Sequence, residues 1–335
     1  MVVAAPYKET HTMKTTIIIP NHNGIRHLDA CLQSLLADLG QFDGDTPVIV
    51  VDDASTDGSP AHLAARYPAV TVITLPEKSG FCHAVNSGIR AAATEYVILL
   101  NNDTTVRPGF CAALTQALAD DPRAFSAAAL MLRMDDPTRI DNAGDLYNAL
   151  GWAYGRGKNR ILNNTRYEKR PAIFSACAGA AIYRRDLLIE LGLFDEAHFA
   201  YLEDADIGYA ARLRGYTSRF CPAAVVLHVG SASSGSRYNP AKTDLASRNS
   251  VYLIAKNMPL PQIILNLPIL LPGFFIKFLF FCTKKMGLRY LRGLANGLKL
   301  SFSPAAKARR VRFRPRHLRH YIRVQLELYA NIFRR

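Results

Sequence analysis

Three polar clusters in the first third of the chain each follow directly on an apolar run. The clearest is "NND" (101–103), in which the carboxylate of Asp103 closes the run "YVILL"; "PNHNG" (20–24) and "DDASTDGS" (52–59) follow two similar runs. Burial explains the runs but not a carboxylate at the tip of one. A single Asp in this position is commonly a turn or helix-capping residue. Three aligned clusters instead favour one shared crevice lined by acids and amides, so Asp103 is predicted to be a ligand-binding residue.

Alternating strands and helices over the first 230 residues would bring the three clusters together. Apolar, β-branched runs predict strands, and the segments between them predict helices. The strands are expected at 15–20, 46–53, 70–76 and 95–103, and the helices at 26–39, 59–68 and 80–94. This alternation predicts an α/β fold with a doubly wound, mostly parallel sheet. In such sheets ligands bind beyond the carboxyl ends of the strands, where all three clusters fall.

Several common classes of protein do not fit the sequence. The turn after the first strand, "PNHNGIRH" (20–27), lacks the GxGxxG pattern that lets a pyrophosphate approach a helix, and the sequence contains no GxxxxGK[ST] loop. The six cysteines include no CxxC pair, which argues against a zinc site or a disulfide framework and is typical of a reducing compartment. Residues 1–13 lack the features of a signal peptide, so we expect a disordered extension there and a cytosolic catalytic part.

The excess of positive charge lies entirely in the C-terminal part of the chain. Residues 284–335, here called the basic block, hold fifteen Lys and Arg against the acid Glu327, and the whole chain has a net charge of +14. Directly before the block lies an apolar segment (263–282) with two prolines and Lys277. Its length is close to that of a membrane span, but the prolines and the lysine favour a re-entrant or interfacial segment over a span, and a buried helix is the alternative. Because basic blocks are attracted to anionic lipid, residues 259–335 are predicted to form a helical, membrane-associating region.

Seven segments resemble, in order and spacing, those of a bacterial family 2 glycosyltransferase with the GT-A nucleotide-sugar-binding fold. They read "IIIPNHNG", "VIVVDDASTDGS", "GFCHAVNSGI", "YVILLNNDTTV", "SACAGAAIYRRDLLIELGLFDE", "FAYLEDADIGYAARLRGY" and "VLHVGSASSG". The resemblance implies a GT-A domain over residues 14–258. Within the family, "LLNND", "EDADIGYAARLRGY" and "ASRNSVYLIAKNMP" are most similar to rhamnosyltransferases of cell-surface polysaccharide assembly. The implied reaction moves a sugar, L-rhamnose from dTDP-rhamnose in that subgroup, to a saccharide with inversion. The membrane-associating C-terminal region predicts that this acceptor is lipid-linked.

The resemblance also implies roles for individual residues. Asp103 would bind Mg²⁺ or Mn²⁺, which prefer oxygen ligands, and His228 would lie near the metal and the diphosphate. The family's metal motif is often Asp-x-Asp, whereas this chain has a single carboxylate there. Asp52 or Asp53 would accept a hydrogen bond from N3–H of uracil or thymine, so the donor is expected to be a dTDP- or UDP-sugar. The other residues expected to bind the nucleotide sugar are Pro20, Asn21, Asn23, Gly80, Asn86, Asn101, Asn102, Gly179 and Arg237.

A second group of acids opens a predicted helix in the second half of the chain. Glu203, Asp204 and Asp206 fall in its first turns, where the helix dipole stabilises negative charge. Acids are ordinary at helix starts, and Asp206, Arg212 and Arg214 could form plain surface pairs. Only the resemblance implies that Asp204 is the general base, which removes the proton of the acceptor hydroxyl, with Glu203 as the competitor for that role.

Two other classes of function stay open at this point. One is a catalytically inactive relative that acts as an assembly partner, which the single-carboxylate metal motif allows. The other is a nucleic-acid binder that uses the basic block, although the block has few aromatics for base stacking and no known binding motif. For the enzyme, the predicted partners are the nucleotide sugar, a lipid-linked saccharide and an anionic membrane surface, with no nucleic acid. The predicted location is peripheral, on the cytoplasmic face of the inner membrane.

Overall fold

The computed structural model describes residues 15–41, 46–162, 172–230 and 239–334. The predicted N-terminal extension and Arg237 lie outside the described residues. The strands are β1 (Thr15–Asn21), β2 (Val48–Asp52), β3 (Thr71–Thr74), β4 (Tyr96–Leu100), β5 (Thr104–Val106), β6 (Ala124–Arg133), β7 (Ile140–Asn142), β8 (Asp145–Tyr147), β9 (Ala153–Gly155), β10 (Ala172–Ile173), β11 (Ala180–Arg184) and β12 (Thr217–His228). The α-helices are α1 (Ile25–Leu39), α2 (Ser59–Arg66), α3 (Phe81–Ala91), α4 (Phe110–Ala119), α5 (Arg185–Glu190), α6 (Glu203–Leu213), α7 (Pro240–Asn257), α8 (Leu260–Thr283), α9 (Gly287–Ser301), α10 (Pro304–Arg309) and α11 (Leu318–Ala330).

One ten-stranded sheet organises the molecule, in the order β10-β12-β6-β11-β4-β1-β2-β3, with β5 paired to β12 and β7 to β6. β4, β1, β2 and β3 are parallel, and β11 runs antiparallel between β4 and β6. The hairpin of β8 and β9 stands apart from this sheet. The predicted α/β, doubly wound and mostly parallel fold is confirmed.

The sheet is covered on both faces because its strands are apolar on both sides. In β1, Ile17 and Ile19 belong to one core cluster and Ile18 to another, as the two-residue period of a strand requires. The first cluster also contains buried side chains of α1, α2 and α4, and the second contains those of α3, α5 and α6. Polar residues are therefore left to the ends of the strands.

A third core cluster joins the end of the chain to the sheet-bearing part. Tyr147 and Tyr209 pack there with Leu270 of α8 and Leu328 of α11. Arg212 of α6 also forms an ion pair of 3.0 Å with Glu327. The core is therefore continuous across residue 258, the predicted domain boundary. The sequence does change in composition there, because an apolar segment and then the basic block follow.

The apolar segment forms a continuous helix, α8, despite its two internal prolines. Gln262, Asn266, Leu270 and Gly273 are its buried residues, whereas large apolar side chains such as Leu260 and Ile264 are more than 60% exposed. Among the helices of the described residues, α8 is the one that is both long enough and apolar enough to cross a membrane. Its exposure excludes the alternative of an ordinary buried helix.

Candidate active site

Asn21 connects the polar clusters that follow β1, β2 and β4. Its Nδ2 donates to Asp52 at 2.8 Å, and its Oδ1 accepts from Nδ2 of Asn102 at 2.7 Å. β1 lies between β2 and β4, so these bonds cross the point where the strand order changes direction, which is where ligands bind in doubly wound sheets. The structure thus places the three clusters in one crevice.

Gly24 makes this contact possible, and its importance was missed in the sequence. A Cβ at Gly24 would lie 2.0 Å from Nδ2 of Asn102 and 2.4 Å from Oδ1 of Asn21. Any larger residue would therefore push the two amides apart. The only signal in the sequence is a glycine that closes the "PNHNG" cluster.

Asp52 and Asp53 are both buried and both accept backbone hydrogen bonds. Oδ2 of Asp52 accepts from the N–H of Ser55 at 2.9 Å, and the two oxygens of Asp53 accept from the N–H groups of Ser79 and Gly80 at 2.6 and 2.9 Å. A carboxylate has about four acceptor positions, so each retains capacity for a ligand N–H. Gly80 adopts φ +88°, and a Cβ there would lie 2.5 Å from Phe199.

Other residues expected to bind the donor join the segments that surround the crevice. Oδ1 of Asn23 accepts from the N–H of Thr56 at 2.8 Å and so ties the loop after β1 to the loop after β2. Pro20 lies within β1 itself. Gly179 lies against Asn101: its carbonyl accepts from the Asn101 N–H at 2.9 Å, and a Cβ on it would lie 3.1 Å from the Asn101 amide.

The side-chain amide of Asn86, which was expected to bind the nucleotide sugar, forms its hydrogen bonds within the protein. The side chain is fully buried, donates to the Phe194 carbonyl at 2.8 Å and to Glu196 at 2.9 Å, and accepts from the Phe194 N–H at 3.1 Å. Both ends of the amide are thereby occupied. Asn86 supports the segment that leads toward α6.

Asp103 and His228 meet at the other side of the crevice. β12 pairs antiparallel with β5, which sets His228 opposite Thr104. Nε2 of His228 lies 3.2 Å from Oδ1 of Asp103, and the Val229 N–H donates to the Asp103 carbonyl at 3.0 Å. The two residues that the resemblance places at a metal are therefore neighbours.

Asp141 of β7 completes this arrangement and was not foreseen. Its carboxylate lies 2.8 Å from Nδ1 of His228, and its other oxygen accepts from Nζ of Lys158 at 2.5 Å. Burial acts to raise the pKa of Asp141, but the hydrogen bonds from His228 and Lys158 outweigh it and lower the pKa to about 2. Burial likewise acts to lower the pKa of His228, but Asp103 and Asp141 raise it to about 9.

The donor set at Asp103 fits a divalent cation. A carboxylate oxygen and an imidazole nitrogen face one another, and the second imidazole nitrogen is held by a further carboxylate, as in many metal-binding histidines. His228 thus offers a second ligand where the sequence motif has Asn101 in place of an acid. The residues Asp103 and His228 would hold the ion.

A group of acids forms the opposite wall, at the start of α6. Asp204 accepts from the Ala178 N–H at 3.0 Å, and Ala178 precedes Gly179, which bonds to Asn101. Asp204 is partly exposed in the crevice, while Glu203 is only 8% exposed and its Oε2 has no hydrogen-bond partner among the described residues. Burial raises the pKa of Glu203 to about 7, and burial with the charges of Glu203 and Asp145 raises that of Asp204 well above its usual range. The more accessible acid is therefore Asp204.

Asp206 is not on the surface, which corrects the expectation of pairs with Arg212 and Arg214. It is buried and accepts from Nζ of Lys256 at 2.5 Å and from the Asn257 amide at 2.6 Å. Arg212 pairs with Glu327 as described, and Arg214 lies 3.8 Å from Glu190. Asp206 anchors the first turn of α6 to α7.

The strand order and the polar groups at the carboxyl ends of β1, β2 and β4 define the nucleotide-sugar-binding domain of a GT-A glycosyltransferase. The chain belongs to the family described as glycosyl transferase family 2, whose model matches residues 16–192. A relative from Mycobacterium tuberculosis, named N-acetylglucosaminyl-diphospho-decaprenol L-rhamnosyltransferase, is 29% identical over 227 residues, which are 62% of this chain and 73% of that protein. The predicted family and its rhamnosyltransferase-like character are confirmed.

Solved structures agree on the fold. GalNAc-T7 with UDP, GalNAc and Mn²⁺ matches 74% of this chain at 16% identity with a TM-score of 0.57, and the chain spans 48% of that structure. Residues 1–349 of S. aureus TarS with UDP-GlcNAc match 95% of this chain, and 90% of that one, at 17% identity with a TM-score of 0.55. The mannosyltransferase PcManGT from Pyrobaculum calidifontis, with GDP-Man and Mn²⁺, matches 96% of this chain and 87% of that one at 19% identity with a TM-score of 0.51.

Proposed function

We propose that this protein transfers a sugar from a nucleoside diphosphate to a hydroxyl group of a lipid-linked saccharide, with inversion at the anomeric carbon. The observation that carries the proposal is the Asp103–His228 pair at the mouth of a crevice that also holds Asn102 and, on its far wall, Asp204. The name of the mycobacterial relative supports L-rhamnose as the sugar, hence dTDP-rhamnose as the donor, and a polyprenyl diphosphate saccharide as the acceptor.

The reaction is a single displacement. The acceptor hydroxyl oxygen forms a bond to the anomeric carbon while the bond from that carbon to the diphosphate oxygen breaks, and the electron pair leaves with the diphosphate. Asp204 takes the hydroxyl proton as general base. Attack from the side opposite the leaving group inverts the anomeric configuration. Asp204 is favoured over Glu203 because it is the more exposed of the two in the crevice.

The other crevice residues bind and orient the donor. Asp52 or Asp53 accepts from N3–H of the pyrimidine base, and Asn101 and Asn102 bond to the ribose or diphosphate. Asp103 and His228 would hold Mg²⁺ or Mn²⁺, which when bound would supply positive charge to offset the charge growing on the leaving diphosphate. Two structural neighbours in complex with Mn²⁺ support a divalent ion here.

The His228 contact also weakens the case for an inactive relative. That alternative depended on a metal motif reduced to one carboxylate. An imidazole 3.2 Å from Asp103, oriented by Asp141, supplies a second donor. No observation in the described residues favours the nucleic-acid binder.

The exposed faces of three C-terminal helices support the proposal that the protein docks on a membrane. α8 exposes most of its apolar length. α9 carries Leu288, Leu291 and Leu298, and Phe302 follows its last residue; all four are exposed among basic residues of the basic block. α11 exposes Leu318, Ile322 and Leu326 in the same manner.

Apolar stripes flanked by Lys and Arg are typical of helices that lie in a membrane interface. Basic residues near anionic lipid add on the order of 1 kcal/mol each. We therefore expect the protein to be peripheral on the cytoplasmic face of the inner membrane, beside its acceptor.

The decisive test is Asp103→Ala. Metal-dependent binding of the donor, measured as the rise in melting temperature with dTDP-rhamnose or a UDP-sugar plus Mn²⁺, is expected to disappear, and transfer with it. Asp135→Ala, a substitution at an exposed Asp, is the control that should leave both intact. A folded Asp103→Ala protein that transfers sugar at nearly the wild-type rate would remove Asp103 from the mechanism.

A further inference from the structure

Asp145, Cys177 and Asp204 come from three separate parts of the chain and meet in the crevice. An oxygen of Asp145, an oxygen of Asp204 and Sγ of Cys177 all lie within 4.8 Å of one another, and all three residues are partly exposed. Asp145 opens β8, and its backbone N–H donates to the Ser175 carbonyl at 2.9 Å, which fixes it beside the 175–179 segment. Neither Asp145 nor Cys177 has a role in the reaction as proposed above.

We propose that Asp145 is a positioning residue for the general base: its negative charge, held across the crevice from Asp204, makes Asp204 hold the acceptor's proton more strongly. The inference rests on the proposed role of Asp204 as base. Asp145 is itself held in place, because Nδ2 of Asn142 donates to its Oδ1 at 2.7 Å. Its backbone and one side-chain oxygen are therefore both anchored.

Other charged groups surround the pair but act from different directions. Glu203 precedes Asp204 on α6, and burial together with the charges of Glu203 and Asp145 raises the pKa of Asp204. Burial raises the pKa of Asp145 to about 6, opposed by the hydrogen bond from Asn142. The remaining titratable groups that act on Asp145 or Glu203 are Lys158, Asp141, His198 and Asp206. Asp145 differs from Glu203 because it approaches Asp204 from β8 and not from α6, the helix that carries Asp204.

The pair has a consequence for the pH dependence of transfer. Two nearby carboxylates lose their protons one after the other, and the second proton leaves at a higher pH than it would from either acid alone. Asp204 must be ionised to act, so the rate rises with pH as the second proton leaves. When Asp145 is made neutral, Asp204 ionises at lower pH and is a weaker base.

The experiment is the pH profile of kcat/KM for the full-length protein, with the donor that the wild type uses. Asp145→Asn is expected to move the acidic limb to lower pH by about one to two units and to lower the plateau. Asp145→Glu, which restores the charge, should return the limb toward the wild-type position. Asp145→Ser is a second neutral variant if the Asn variant does not fold, and Asp135→Asn is the exposed control.

A limb that stays in place in the folded neutral variants would overturn the inference, even if activity fell, because a purely structural role lowers the rate at every pH. The proposed function fails in a different way. It fails if the wild type transfers no sugar, whereas an Asp204→Asn variant that keeps nearly the wild-type rate would remove Asp204 from the role of base. A wild type that transfers sugar and a strongly impaired Asp204→Asn, together with an unmoved limb, would reject the role of Asp145 alone.

Discussion

Nδ1 of His228 lies 2.8 Å from the carboxylate of Asp141, and this bond decides which imidazole nitrogen faces Asp103. If Nδ1–H is donated to Asp141 when a metal ion is bound, Nε2 would be the nitrogen that serves as the ligand. The Asp141 carboxylate also raises the basicity of the ring. A residue 87 positions away in sequence thus sets the chemistry of the metal ligand.

Asp141→Asn should therefore weaken metal binding although Asp141 touches no metal. Replacing a carboxylate that hydrogen-bonds to a metal-binding histidine typically changes the metal affinity by about 10- to 100-fold. The measurement is the Mn²⁺ concentration that half-saturates transfer, which we expect to rise. Asp136→Asn, at an exposed Asp paired with Arg139, is the matched control. An unchanged half-saturation value would mean that Asp141 serves only the fold.

Asp204→Asn should reduce transfer by about a hundredfold to ten-thousandfold with little change in donor affinity, because it keeps the shape of the side chain and removes the base. Glu203→Gln should be milder, since Glu203 is buried and its Oε2 has no partner among the described residues. The measurements are the initial rate of transfer and the rise in melting temperature with donor, each for both variants. The reverse order of effects would give the base role to Glu203, and a product that retains the donor's configuration would exclude a single displacement.

Leu288→Glu combined with Phe302→Glu should weaken attachment to vesicles that contain phosphatidylglycerol. The two side chains, on α9 and directly after it, are 84% and 71% exposed, so the fold does not depend on them. The wild type should sediment with these vesicles at low salt and only partly dissociate at high salt, because salt screens charge but leaves apolar insertion intact. The double variant should be released completely by high salt.

Leu36→Glu on α1 is the control for this experiment, as an exposed apolar side chain far along the sequence from the docking helices. It should bind vesicles as the wild type does. Full-length protein that ignores anionic vesicles even at low salt would contradict membrane docking. A change of oligomeric state in the α9 variant would instead assign the face to a second copy of the chain.

Glu196 should make the free energy of unfolding depend on pH in the acid range. Burial acts to raise its pKa, but hydrogen bonds with Asn86, His83 and Arg90 lower it to about 2. A lowered carboxyl pKa contributes stability that is fully present above about 4.5, the unfolded value, and is lost as the pH falls toward 2. Glu196→Gln should cost roughly 0.5–1 kcal/mol of unfolding free energy at pH 7, because the carboxylate is about one third exposed. Urea unfolding at several pH values should show this difference shrinking below pH 4.5; a constant difference would contradict it.

The sequence predicted the parts of the site that follow long, regular elements. The ends of β1, β2 and β4 could be located because these strands of five to seven residues contain apolar runs, which are strong local signals. Asp141 and Asp145 were missed because β7 and β8 are three residues long and lack a periodic pattern. Asp206 was misplaced because no local pattern tells a buried polar group with distant partners from an exposed one. Its partner Lys256 lies 50 positions away in sequence.

The shared core beneath the site has a consequence for a chain that is still being synthesised. Asn331 donates to the carbonyl of Tyr147 at 2.9 Å, on the same short strand as Asp145, and the Ala149 N–H donates to Leu328 at 3.1 Å. β8 therefore depends for its final placement on α11, which is made after all the other described helices. The proposed donor crevice at the ends of β1, β2 and β4 contains none of these residues. We therefore expect a nascent chain to complete that crevice before the part of the site that carries Asp145, and the helices that complete this part include those proposed to meet the lipid.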